Sequence, residues 1–493
     1  MATPSQPVAF TTQTAYPLPT QKFLIPTTWK RFQLSKLVNK ALSLPHVVPF
    51  DFLIRGEILR TSLGEWCAEH GVGEEETLEI EYIESVLPPQ RLSDFPHDDW
   101  VSSVSCQLRD HFLTGSYDGV IRTFNYSRAL VSSVKLHNAP ITSLAILPPP
   151  SDADSSTNTF DQTIATASHD LTALLTRLTF DPQPQPDPAS EELQKAKSTI
   201  VTPLAALHLH TAPLSSIAAN QQGTHLLTAS WDGLIALWDT RIPNEHEATD
   251  VRSSTSGERS KKKRKLVDLE EERNEEEMDG IVQNGTSAVD TSKVKRKAPL
   301  TVMKSHTARV SRAVFGTENR GLPGKAYSCG FDSTVRIWDV ESGLCEHTIT
   351  ASEKPFTSLA LPGANLALAI STDRTMMLYD LRIPTSAMPV TLPTSFMHPT
   401  TPSCIALPTY PGSSTSSNMA NQVVTGAYDG IVRVWDLRST KSAVASFDGF
   451  GSDKDKDSKK ILGVDWNTER GVVGVGGEAG FTVWSFKEDV RGQ

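Results

Sequence analysis

Histidine, serine and aspartate can carry acid–base or nucleophilic chemistry, and this chain sets them at repeating positions. Asp118, Asp170, Asp232, Asp332, Asp373 and Asp429 each fall where a tight turn is expected, as in "LLTASWDGLIALWD" from Leu226 to Asp239. Six residues after the acid stands an aromatic: Phe124, Trp238, Trp338, Tyr379 or Trp435, with none after Asp170. Glu478 and Trp484 repeat the offset. Ser116, Ser168, Ser230 and Ser371 stand two residues before the acid; Gly330 and Ala427 replace the serine elsewhere, which predicts incomplete networks there. His97, His137, His210, His306 and His398 each precede an apolar run. A set repeated in unit after unit reads as scaffold. A buried Asp needs hydrogen-bond donors, and the His and the turn backbone can supply them. No catalysis is assigned to these residues.

Other chemistry finds little support. "HLH" (His208, His210) could suggest a metal, but no acid or cysteine lies nearby and His210 occupies a scaffold position. "GVGGEAG" (Gly474–Gly480) resembles a dinucleotide loop, yet a strand rather than a helix follows it. Neither a P-loop nor GxSxG occurs. Cys67, Cys106, Cys329, Cys345 and Cys404 are odd in number and contain no CxxC, against zinc or a disulfide framework and for a reducing compartment. No enzyme, no cofactor and no metal site of its own is therefore expected.

The elements that must position these residues follow from the repeat. Each unit reads as a His-bearing turn, a strand, a hairpin over the Asp turn and a closing strand. There are seven copies, and the pattern resembles the WD repeat of four-stranded propeller blades, about 40–45 residues each. It covers residues 96–487. The last copy supplies only inner strands, so the segment at 85–95, "SVLPPQRLSDF", is expected to act as linker and closing strand, which removes a free sheet edge. The longest interval between turn acids, Asp232 to Asp332, holds a charged insertion at 243–299, read as disordered. It contains Lys261, Lys262, Lys263, Arg264 and Lys265, then "EEERNEEE", then Lys293 to Lys297 with Lys295, Arg296 and Lys297. The two basic clusters look like nuclear-import signals.

Residues 1–7 are read as disordered and 8–84 as a separate domain. "PVAFTT" and "KFLIPTTW" read as strands, and Phe32, Leu34, Leu37, Val38 and Leu42 fall at roughly helical spacing. "FDFLIRGEILRTSLGEWCAEHGVGEEETLEIEYI" resembles the second half of ubiquitin: strand, turn at Gly56, short strand, helical turn, long strand. The fold class is thus mainly β: a seven-bladed WD40 propeller preceded by an α+β ubiquitin-like (β-grasp) domain. With no Gly-Gly tail, that domain is a docking module rather than a conjugated modifier.

This domain pair, with "PFDFLIRGEILRTSL", "VLPP" and "DDWVSSV", closely resembles the Ytm family of ribosome-biogenesis factors, known in animals as WD-repeat protein twelve. The resemblance implies a non-enzymatic assembly factor of the large ribosomal subunit, acting in the nucleolus and nucleoplasm. Its propeller would dock on the propeller of the block-of-proliferation (Erb) protein, in a complex with Pescadillo on the pre-ribosomal particle, supporting processing of pre-ribosomal RNA. Its ubiquitin-like domain would be gripped by the adhesion site of the AAA ATPase Midasin for release. There a Mg²⁺ supplied by the partner takes a carboxylate oxygen. "GVGEEETLEIEY" offers Glu74, Glu75 and Glu76, and alignment with the family motif selects Glu75. Three glutamates in a turn are, without that resemblance, a solvated turn.

The totals fit. The chain has 493 residues, is 38% hydrophobic and 21% charged, and carries a net charge of −10, which gives no reason to expect tight nucleic-acid binding. Whether RNA is contacted directly stays open. No apolar run is long enough to span a membrane, and "MATPSQPVAFTTQTAYPLPT" is not a secretory signal. Two rivals remain. A substrate receptor of a cullin ubiquitin ligase would use Trp-Asp-x-Arg ends such as Trp238–Arg241 and Trp435–Arg438, with "YDLR" ending at Arg382. The Notchless protein shares the domain order but has an extra blade.

Overall fold

The computed structural model describes residues 4–44, 46–73, 75–85, 89–148, 160–180, 200–247, 287–288, 294–316, 324–350, 353–382, 394–408, 421–439, 441–451 and 459–486. The first sheet has five strands in the order Lys22–Pro26, Ser5–Thr11, Leu78–Glu84, Phe50–Ile54, Glu57–Ile58. Its first and last long strands run parallel, with Val8 opposite Leu78 and Phe10 opposite Ile80. Helix Arg31–Leu42 packs Leu34 and Val38 onto it, both fully buried. This is the β-grasp arrangement. Phe32, expected on the buried stripe, is instead 75% exposed. It lies two residues from Leu34, about 200° around a helix of 3.6 residues per turn. Residues 1–7 also need correction. The strand begins at Ser5, and Gln6 is buried.

The remaining strands form seven sheets, one per repeat. Four-stranded blades arise because alternating strands bury one side chain in two, and both faces of each sheet meet a neighbouring sheet. Core clusters accordingly bridge consecutive blades: Leu175 and Ala205 pack with Leu226 and Trp238, and Ala229 and Leu237 with Val310 and Trp338. The ring closes by a shared sheet. Gln90–Phe95 pairs antiparallel with Gly480–Ser485, placing Phe95 opposite Phe481. Phe95, Phe112, Phe124 and Phe481 then stack across the seam between the seventh and first blades.

The charged insertion leaves the third blade after Leu234–Asp239 and returns at Thr301–Lys304 of the same sheet. Its ends are ordered, contrary to the expectation for 243–299. Glu247 donates its N–H to the Arg296 carbonyl, and Arg296 donates its own to the His246 ring. Arg296–Lys297 adds a parallel edge strand to the second blade, and Ser287–Ala288 adds one to the first.

Candidate functional site

Four local devices hold the acidic loop of the ubiquitin-like domain. Helix Leu63–His70 opens with a reciprocal capping box between Ser62 and Glu65 and closes on Gly71 in the left-handed region, φ 63°. Val72 donates its N–H to the Cys67 carbonyl at 2.9 Å, and Glu76 donates to the Gly73 carbonyl at 3.2 Å. The buried Gln6 side chain spans the loop, its Nε2 donating to the carbonyls of Gly73 (3.0 Å) and Glu76 (2.6 Å). Arg55 pairs with the Glu76 carboxylate at 3.1 Å. Glu75 lies between these anchors. It is exposed, and no ion pair or side-chain hydrogen bond engages its carboxylate among the described residues. Glu74 lies outside the described residues. Of the two described glutamates, Glu76 is paired with Arg55 and Glu75 is not.

The propeller scaffold is built as expected in three blades and differently in the others. His137 Nδ1 lies 2.8 Å from Asp170, His210 Nδ1 3.1 Å from Asp232, and His306 Nδ1 2.8 Å from Asp332. The Nε2 atoms meet Thr166, Thr228 and Ser328 hydroxyls at 2.9, 2.9 and 2.7 Å. In the third and fourth blades Trp238 and Trp338 donate their indole N–H to those same hydroxyls. An indole can only donate. Each hydroxyl therefore accepts from Trp and donates to His, and the imidazole N–H is left for the Asp. Burial alone would raise these carboxyls, but the hydrogen bond from His, with further bonds from the turn, holds Asp170, Asp232 and Asp332 below the usual range. Ser328, His306 and Asp332 thus resemble a hydrolytic set, but the hydroxyl is saturated and buried, so the set is structural.

Several expectations need correction. In the first and sixth blades an Arg, not the His, holds the turn acid: Arg122 with Asp118 at 2.7 Å and Arg433 with Asp429 at 2.6 Å. His97 turns instead to the Phe95 carbonyl and Thr114. Ser168 and Ser230 accept from the backbone N–H of Asp170 and Asp232 rather than binding their carboxylates. Gly330 leaves the fourth network complete, because Ser328 supplies the hydroxyl. In the sixth blade, with Ala427, Trp435 reaches Thr425, but neither ring nitrogen of His398 has a partner among the described residues. Asp373 is held by Thr375. Glu478 lies in its hairpin turn but at the place of Tyr117 rather than Asp118: its N–H donates to the Lys460 carbonyl, and its carboxylate accepts from Lys460 N–H and pairs with Lys460 Nζ at 3.2 Å. Trp484 reaches the Gly449 carbonyl. The bridging Thr or Ser was missed, although it stands four residues before the acid in five repeats.

One rim bears a second feature. The residue before each turn acid donates its N–H across the blade, as Tyr117 does to Trp100, Trp231 to Pro213, Phe331 to Arg309 and Tyr428 to Thr401. This fixed bond leaves those side chains on the outside. Trp100, Trp231 and Tyr428 are 41–42% exposed. Trp100 contacts Tyr117, and the Arg309 guanidinium lies 3.5 Å over Phe331 and 5.3 Å from Trp231. Aromatic residues with a stacked Arg are what protein–protein hot spots use.

The basic clusters separate. Lys261 to Lys265 lie outside the described residues. Lys297 is buried in its edge strand, its ammonium donating to the Arg241 carbonyl, and Lys295 donates to Asn244. A receptor reading Lys295, Arg296 and Lys297 as an extended signal would have to strip that strand from the second blade. The two domains also touch. Arg438 pairs with Asp436 at 2.7 Å and reaches Glu81 at 3.2 Å; Lys441 pairs with Glu57, and Arg60 donates to the Ala443 carbonyl. Leu53, Ile58 and Ile83 pack with Val444 behind these charges. Among the described residues no cluster of three or more His, Cys, Asp or Glu could hold a metal, and no helix is long and apolar enough to cross a membrane.

Known proteins match in the same two parts. Residues 7–67 match the NLE (NUC135) domain, and 201–239, 297–339 and 396–436 match the WD domain, G-beta repeat. The propeller domain of Doa1 superposes with a TM-score of 0.51 at 14% identity, covering 82% of this chain and 98% of that one, which speaks to fold alone. Proteins named ribosome biogenesis protein YTM1 match nearly end to end. That of Laccaria bicolor is 54% identical over 99% of this chain and 96% of its own length; that of Coprinopsis cinerea is 52% identical over 98% and 95%. The Candida albicans protein is 28% identical over 92% and 90%. With both domains, all seven blades and identity along the whole length in agreement, the chain belongs to the Ytm (WD-repeat protein twelve) family of ribosome-biogenesis proteins.

Proposed function

We propose that this chain is a non-enzymatic assembly factor of the large ribosomal subunit that links a docked propeller to a pulled ubiquitin-like domain. The propeller docks on the block-of-proliferation (Erb) protein, with Pescadillo in the same complex on the pre-ribosomal particle, and so supports pre-ribosomal RNA processing. The aromatic rim around Trp231 and Phe331 is the surface suited to that contact. The ubiquitin-like domain offers Glu75 to the Mg²⁺ of the Midasin adhesion site, and ATP hydrolysis there releases the complex. The chain works in the nucleolus and nucleoplasm, with Lys261 to Lys265 as the import signal. It brings no metal or cofactor of its own.

The observation that carries this reading is the state of Glu75: exposed, unpaired among the described residues, and held between backbone anchors. A Mg²⁺ with one open position takes a single carboxylate oxygen, and a rigid loop presents it with little ordering entropy left to lose. The test is titration calorimetry of the full chain against the Midasin adhesion domain. Glu75→Ala, or EDTA with the wild type, is expected to abolish binding; undiminished binding of the variant would falsify the assignment. The cullin-receptor alternative draws no support from Arg438, which is committed to Asp436 and Glu81 and only 13% exposed.

A further inference from the structure

The first strands of the seven blades line an axial cavity of about 270 Å³. Its hydroxyls fall into two classes. Ser102 and Ser403 donate to strand carbonyls of their own and the following blade: Ser102 to Gly115 and Ile141, Ser403 to Gly426 and Ile461. These stitch the ring and have no proton to spare. One position further along, Ser143 Oγ still donates, to the Ile217 carbonyl at 3.4 Å, but in three places the direction reverses. Ser103 Oγ accepts from the Leu144 N–H at 3.1 Å, Ser216 Oγ from the Ala313 N–H at 3.1 Å, and Ser358 Oγ from Arg312 Nη1 at 3.0 Å. A hydroxyl that accepts from the protein still has its own proton to donate. No described protein acceptor takes these three.

Arg312 occupies the equivalent position in the fourth blade, between Ser216 and Ser358 in ring order. It carries a guanidinium into the cavity where the other blades carry small residues. Burial lowers its pKa, but an Arg side chain stays charged. No carboxylate lies within ion-pair distance of it among the described residues, and Ser358 satisfies one of its five donors. Arg312 is half-buried, and a guanidinium drawn out of bulk water favours a counter-charge. Asp465 lines the same cavity but is engaged elsewhere, accepting from Cys106 N–H at 2.7 Å and Gln107 Nε2 at 3.0 Å. The cavity therefore presents a cation, a carboxyl already engaged by Cys106 and Gln107, and three spare hydroxyl protons.

We propose that the propeller channel binds a small free oxyanion of the phosphate class at Arg312, with the Ser216, Ser358 and Ser103 hydroxyls donating to its oxygens directly or through water. Ser358 touches the guanidinium and Ser216 stands on the neighbouring blade, so a tetrahedral anion can use several donors at once.

The test uses the full chain and inorganic phosphate, with chloride at matched ionic strength as reference. Wild type is expected to bind phosphate saturably in titration calorimetry and to gain thermal stability with the same midpoint. Arg312→Gln is expected to weaken binding by about tenfold or more, the size of a lost charge-assisted bond. Phosphate also stabilises proteins by exclusion from their surface. An equal, unsaturating response in wild type and variant would therefore overturn the proposal, as would absence of any binding heat in wild type. Should Arg312→Gln fail to fold, Ser358→Ala and Ser216→Ala remove one donor each from a folded ring. Weakened phosphate binding in these supports the site, and unchanged affinity in both rejects it.

Discussion

Gln6 shows how much a single side chain can decide. It stands in a segment that composition marks as a loose terminus, yet it is buried, and its amide closes the acidic loop over two carbonyls. Gln6→Ala leaves both carbonyls without their donor. Each lost bond is worth about 1 kcal/mol, so the ubiquitin-like domain should lose about 1–2 kcal/mol in chemical denaturation of the full chain. Affinity for the Midasin adhesion domain should fall as well, with Glu75 untouched, because the ligand loop is no longer preorganised. Full affinity in the variant would mean that the helix cap and Arg55 hold the loop by themselves. The scaffold gives a similar lesson. Histidine and the turn backbone were the expected donors to the turn acids, but Arg122 and Arg433, four residues after the acid, take the histidine's place in two blades. A guanidinium reaches along its own strand and delivers a charged bond, which displaces the imidazole.

At the scale of an element, the sixth blade is the instructive one. Its His398 packs against Trp435 at 4.7 Å between ring centres, and its ring nitrogens have no hydrogen-bond partner among the described residues. Burial, then the nearby Arg433 charge, lowers its pKa from 6.5 to about 4. The native state thus refuses a proton that the unfolded chain binds from pH 6.5 downward. Stability from this group is complete above pH 6.5, falls as pH drops from 6.5 to about 4, and is flat below. The loss amounts to about 3 kcal/mol across that window. His398→Phe keeps the ring and removes both orphan nitrogens. It should be near neutral in stability at pH 7 and should flatten this part of the profile. Denaturant midpoints at neutral and mildly acidic pH decide it; parallel profiles for the two proteins would show that His398 is not the group responsible. The depressed turn acids behave differently, giving stability that is lost only as pH falls below the ordinary carboxylate range.

For the whole molecule, the contact between domains matters most. Arg438, Lys441 and Arg60 hold the ubiquitin-like domain to the sixth blade, and Gly56, at φ 77°, lets its turn approach the Arg438 carbonyl. A load applied at Glu75 would reach the ring through these charges before it reached the connecting chain. Reversing two of them, Glu81→Arg with Glu57→Lys, places like charges against Arg438 and Lys441. The radius of gyration from small-angle scattering should rise, while the propeller should melt as before. An unchanged radius would show that the apolar contact of Leu53, Ile58 and Ile83 with Val444 is sufficient to hold the domains. High salt should have a weaker effect in the same direction, since Arg438 is mostly buried and poorly screened.

The repeat was legible in the sequence because it is local. The alternation of strands, the turn acid and the aromatic six residues later all lie within one hairpin, so seven blades and a preceding β-grasp unit could be read before any coordinates. The exposed acids before the last strand were legible for the same reason. Tertiary structure decided what depends on contacts across the chain. It committed Glu76 to Arg55 and left Glu75 unpaired; it buried Lys297 in an edge strand and turned Arg438 toward Glu81. It also brought Arg312 to a channel wall with no carboxylate within ion-pair distance among the described residues. Spacing along a strand tells which face a residue occupies. Only the closed ring and the docked domain determine what stands across from that face.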